Sequence, residues 1–154
     1  MGERVPVVAG VTALIDRPHP YAVRMEIRGD GAAMTLYEVV GGEQFFVDLV
    51  DHFYRGVDAD PRLRHMYPED LTEPKANTAA FLVQYWGGPT TYSDQRGHPR
   101  LRMRHAPFVI GQAERDAWIE HMFAAVEAME PDPAVDAALR EYFDMAATHM
   151  INSR

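Results

Sequence analysis

From Met34 onward, apolar residues recur three and four positions apart, and prolines and glycines cut the pattern into segments. Phe45, Phe46, Leu49, Val50, Phe53 and Tyr54 follow Gly41-Gly42. At helical pitch they share one face, as an amphipathic helix requires. Asp60 ahead of Pro61 reads as the cap and first turn of a short helix toward Met66, which Pro68 stops. Thr72 or Glu73, then Pro74, opens a helix carrying Ala79, Leu82, Val83 and Trp86. Gly87-Gly88-Pro89 closes it with cap glycine followed by proline. Residues 89–98 read as loop, and Pro99 to His105 as a helical turn that Pro107 breaks. Gly111 precedes a long helix with Trp118, Ile119, Met122, Phe123, Val126 and Met129 on its apolar side. Past Pro131 and Pro133, a last helix carries Val135, Leu139, Tyr142, Phe143, Ala146 and Met150. No segment alternates as a half-buried strand does, and no repeat is present. The pattern predicts an all-α domain of about six helices.

The 154 residues suit one domain with a real core. Residues 1–33 differ, with Pro6, Pro18, Pro20, Gly29 and Gly31 and no sustained period. They read as an N-terminal extension, either disordered or lying ahead of a true start at Met34. Residues 34–154 form the domain. The apolar stretch Val5–Ile15 is too short to span a bilayer. Glu3, Pro6 and Asp16-Arg17-Pro18 argue against a secretory signal. A net charge of −8 opposes binding to nucleic acid, whose phosphates attract cations. No membrane partner is expected. The chain has no cysteine, which excludes disulfides, thiolate catalysis and thiolate-held metals and fits a cytoplasmic protein.

Glycine-rich phosphate loops, His-Glu-x-x-His helices, calcium loops and nucleophile elbows are absent. No acid/base carboxylate pair is visible, and no catalytic residue is assigned. What stands out is the run Gly97-His98-Pro99-Arg100-Leu101-Arg102-Met103-Arg104-His105-Ala106-Pro107-Phe108. A ligating imidazole offers one nitrogen to a metal while the other donates a hydrogen bond. His105 ends a helical turn whose last carbonyls are free, Leu101's among them. On these grounds alone it reads either as a metal ligand or as a solvated histidine in a basic loop, and the second carries more weight.

From Met34 to the C-terminus the chain resembles the group II truncated hemoglobins. The resemblance rests on Tyr85-Trp86-Gly87-Gly88-Pro89, Thr91-Tyr92-Ser93, the run from Gln95 to Phe108, Glu114-Arg115-Asp116-Ala117-Trp118, Phe53-Tyr54 and Met66-Tyr67-Pro68. It implies a truncated globin fold, a two-over-two helical sandwich enclosing heme b (iron protoporphyrin IX), with His105 as proximal ligand. It also places Tyr54, Tyr67 and Trp118 around the distal ligand. Phenol hydroxyls and an indole N–H are neutral donors suited to a partly negative oxygen. Without the resemblance, all three read as buried aromatics. Thr78 stands where relatives carry an apolar residue and is expected to make the pocket more polar. Pro74 replaces a small alanine. Asn77 replaces a basic residue, which removes one propionate contact. Phe53, Phe81, Leu82, Leu101, Met103, Phe108 and Met122 are the expected apolar walls, and Arg104 and Tyr92 the propionate contacts.

The implied function is binding of oxygen and other diatomic gases, carbon monoxide and nitric oxide among them, by a monomer or homodimer. Oxygen transport is one such role. Peroxidase-like or nitric-oxide-detoxifying turnover is an alternative. It would need an external reductase, because no reductase domain is attached. A heme-free helical sensor or interaction domain is a further alternative.

Overall fold

The structure is a computed structural model that describes residues 24–25 and 34–154. Apart from Arg24–Met25, the expectations for residues 1–33 lie outside the described residues. Those two residues form β1, which pairs antiparallel with β2 (Met34–Thr35), Arg24 opposite Thr35. Two residues per strand are too few to leave an alternating signal, and the rest of the described secondary structure is helical.

Eight helices follow. They are α1 (Leu36–Val39), α2 (Glu43–Asp58), α3 (Pro61–Arg64), α4 (Thr72–Tyr85), α5 (Thr91–Arg96), α6 (Leu101–His105), α7 (Gln112–Ala128) and α8 (Pro133–His149). The long ones are those the periodicity predicts. In α2 the face made by Phe46, Leu49, Val50, Phe53, Tyr54 and Val57 is buried. Each such side chain contributes roughly 1.5–3 kcal/mol by leaving water. Pro61 opens α3, and the Asp60 carboxylate accepts from the Arg62 backbone N–H at 2.9 Å, as the sequence predicts. Helices α2 and α4 pack as one pair and α7 and α8 as the other, with α2 laid against α7. This is the two-over-two sandwich.

The short α5 occupies residues read as loop. A helix of under two turns carries no periodic signal, and Tyr92 is its one buried residue. Helix α4 ends as predicted. Gly88 N–H donates to Val83 O at 2.8 Å and Gly87 N–H to Gln84 O at 3.3 Å, with Gly87 at φ 103°. Here β2 and α1 dock on α4. A Cβ on Gly87 would lie 2.6 Å from the Thr35 side chain. Thr35 has no easy escape, being buried and accepting from Glu38 N–H at 3.1 Å. Gly87→Ala therefore meets both a left-handed backbone and a clash. It is expected to lower unfolding stability on the order of 2–4 kcal/mol in urea melts. A loss below the scatter of the melts would contradict this packing.

Candidate functional site

Between the two helix pairs lies a cavity of about 270 Å³. Its walls are mostly apolar: Phe53 from α2, Phe81 and Leu82 from α4, Leu101 from α6, and Met122 from α7. Phe108 closes the side beyond α6. Met103, expected on this wall, is instead 61% exposed and does not line the cavity. In α6, Leu101 and His105 are four residues apart and share a face, whereas Met103, two residues from each, points to the opposite side.

His105 stands at the C-terminal end of α6 and faces the cavity. Its Nδ1 lies 2.6 Å from Leu101 O. A carbonyl only accepts, so Nδ1 carries the proton and Nε2 presents its lone pair. The turn after His105 is pinned from the C-terminus. Asn152 Nδ2 donates to Phe108 O at 2.9 Å, and Ile110 N–H donates to Asn152 Oδ1 at 2.9 Å.

On the facing side, Tyr67, Trp118 and Thr78 line the cavity. The indole of Trp118 and the hydroxyl of Tyr67 share this wall, and the indole favours the charged form of the phenol, opposing burial. An indole N–H only donates and a phenol hydroxyl can donate, so each offers the cavity a neutral proton. Burial, reinforced by neighbouring Tyr54, pushes the Tyr67 hydroxyl well above the ordinary phenol range. Burial also raises Tyr54, with the Thr78 hydrogen bond opposing it. Both remain neutral donors at physiological pH. Tyr54 does not line the cavity. It meets Tyr67 edge-on at 5.6 Å, and its hydroxyl lies 3.0 Å from Thr78 Oγ1 and donates to Pro74 O at 3.5 Å.

Two pairings place these groups. Asp60 ties α3 to α7: His121 Nε2 lies 2.6 Å from Asp60 Oδ2, one turn beyond Trp118. Arg62 also grips this carboxylate, at 2.7 Å. Arg62 first, then His121, holds it well below the usual carboxylate range. Helix α2 approaches α7 closely because residue 56 is glycine, and a Cβ there would lie 2.3 Å from His121 Nδ1. Gln84 ties α4 to α5, its Nε2 donating to Ser93 Oγ at 2.7 Å and its Oε1 accepting from Ser93 N–H at 2.9 Å. That seats Tyr92 on the cavity, edge-on to Phe81 at 5.5 Å. Arg104 also lines the cavity, with Nε donating to Pro99 O and Nη2 to Arg96 O.

Sequence reasoning missed the contribution of α8. Tyr142, Phe143 and Ala146 line the cavity too, with Met150 just past the helix end. Their spacing marks an apolar face but does not say what that face meets. Gln84 left a weak signal, as an amide in the apolar last turn of α4.

No group of three or more histidines, cysteines or carboxylates able to hold a bare metal ion occurs among the described residues. A single imidazole at an apolar slot instead fits a metal carried in its own organic ring. This is the architecture of a globin. The bacterial-like globin family matches residues 35–152. Group 2 truncated hemoglobin YjbI of Bacillus subtilis is 39% identical over 116 residues, which is 75% of this chain and 87% of that one. Among solved structures, the hemoglobin of Chloroflexus aurantiacus superposes with a TM-score of 0.75 at 56% identity, covering 77% of this chain and 98% of that one. The truncated oxygen-avid haemoglobin of Bacillus subtilis gives 0.74 at 38%, covering 77% and 100%. The chain belongs to the bacterial-like globins and, within them, to the group II truncated hemoglobins. Membership implies a heme cofactor. Among the described residues, no helix is long and apolar enough to cross a membrane.

Proposed function

We propose that residues 34–154 form a globin that holds heme b through His105 and binds oxygen reversibly, with carbon monoxide and nitric oxide as competing ligands. The observation that carries this reading is the 2.6 Å contact from His105 Nδ1 to Leu101 O. It leaves Nε2 as the basic nitrogen at the edge of a mostly apolar cavity. Such a second contact fixes the tautomer and raises the basicity of a ligating imidazole. The oxygen-avid behaviour named for the Bacillus subtilis relative points the same way. When bound, heme supplies the ferrous iron that takes the gas.

The chain's own residues do the rest. Phe53, Phe81, Leu82, Leu101, Phe108 and Met122 exclude water from the ring faces. Arg104 Nη1, uncommitted among the described residues, and the Tyr92 hydroxyl receive the propionates. Tyr67 and Trp118, which share one wall of the cavity, donate toward the bound gas. Thr78 lines the pocket beside this pair, and Tyr54 braces Thr78 and Tyr67 from behind. A neutral pocket with these donors favours slow release.

Titrating the heme-free protein with ferric protoporphyrin should produce a Soret band that saturates at one equivalent. After reduction, the spectrum should respond reversibly to oxygen. Absence of saturable uptake would refute the reading.

A further inference from the structure

Residues 96–105 carry Arg96, Arg100, Arg102 and Arg104 and no acidic residue, in a chain with 23 Asp and Glu against 15 Lys and Arg. All four arginines are exposed. Arg96 has a distant carboxylate partner, Glu73 at 3.8 Å. Among the described residues Arg100 and Arg102 have none, and Arg104, also without one, lines the cavity, where a propionate would meet it. Arg102 donates to His149 O and Ile151 O, and Arg104 to Pro99 O and Arg96 O. Carbonyls anchor a guanidinium but do not neutralise it. Between Arg102 and Arg104 sits Met103, 61% exposed, and Val109 beyond His105 is 70% exposed. Exposed apolar groups among uncompensated cations have the make-up of a docking face, with an apolar centre and a charged rim. The inner side of this same segment is the cavity wall, formed by Leu101, Arg104 and His105, which leaves Arg96, Arg100 and Arg102 around Met103 as the outer cations.

We propose that this outer face of α6 docks an acidic one-electron carrier protein, which returns ferric heme iron to the ferrous state. The inference rests on the heme reading above. Charge identifies the occupant. A carrier with an acidic face is repelled by the rest of a chain of net charge −8 and attracted here. It is thereby oriented onto the segment that bears the iron's ligand. One electron moves: the carrier's reduced flavin or iron–sulfur centre is oxidised, iron(III) becomes iron(II), and no proton is transferred. A short helix offers a small contact, as befits a transient redox encounter rather than a stable complex.

The test uses the ferric holoprotein under carbon monoxide, which traps the ferrous product, mixed anaerobically with a reduced plant-type [2Fe–2S] ferredoxin. The second-order rate is expected to fall about tenfold or more between about 20 mM and about 500 mM salt. At low salt, Arg100→Glu and Met103→Glu should each slow it about threefold or more. Neither should alter the heme spectrum or slow reduction by the cationic complex hexaammineruthenium(II). A salt-independent rate, or wild-type rates in both variants, would overturn the proposal. So would wild-type rates accompanied by lost self-association or lost binding to phosphatidylglycerol vesicles, which would reassign the face to a second copy or a lipid surface. A protein that takes up no heme would instead overturn the reading beneath it, and this one with it.

Discussion

His105→Gly protein is expected to hold heme at least about a hundredfold more weakly than the parent, and to regain Soret absorbance when imidazole is added. The loss should exceed the roughly 10–100-fold seen when only a partner of a metal ligand is removed, because here the bond to the metal itself goes. Imidazole rescue separates ligation from damage to the fold, since a free ring can occupy the vacated space but cannot repair a misfolded α6. The geometry favours rescue. The Leu101 carbonyl, now facing His105 Nδ1 at 2.6 Å, stays on the backbone and can orient the exogenous ring. Full heme retention by the variant would remove His105 from the proximal role.

Trp118→Phe and Tyr67→Phe are each expected to speed oxygen dissociation on the order of ten- to a hundredfold in stopped-flow replacement by carbon monoxide. Loss of one donor in a dry pocket costs about 1–3 kcal/mol, and each 1.4 kcal/mol is a factor of ten. The two effects should not multiply. Trp118 and Tyr67 line the same wall and face the same bound gas, and the indole acts on the Tyr67 hydroxyl, so their contributions are coupled. The double variant should release oxygen more slowly than the product of the single effects implies. Dissociation unchanged in Trp118→Phe would dismiss the distal hydrogen-bond account. Strictly multiplicative effects would dismiss the coupling of Trp118 and Tyr67 while keeping both as donors.

Some of this site was legible early because its signals are local. His105 and Leu101 are four residues apart, which is one helical turn, so their contact follows from spacing. The Asp60 cap and the Gly87-Gly88 terminus likewise depend only on near neighbours. Met103 shows the limit of reading composition without phase. It is apolar and close to His105 in sequence, yet the helical angle turns it to solvent. The residues of α5 left no trace because fewer than two turns cannot establish a period.

The amino-acid order by itself determined which long segments are helices, where most of them stop, and which histidine has a carbonyl one turn behind it. Backbone propensity, capping and amphipathic spacing act over a few residues, and the chain states them directly. Tertiary structure alone decided that α8 shares the cavity wall, and that Asp60 meets His121 across 61 positions of sequence. It also decided that Tyr54 turns to Thr78 and leaves Tyr67 to face the cavity. Those choices depend on how helices cross and how closely they approach. A glycine at position 56 permits that approach, but nothing in its neighbours in sequence announces which helix will come near.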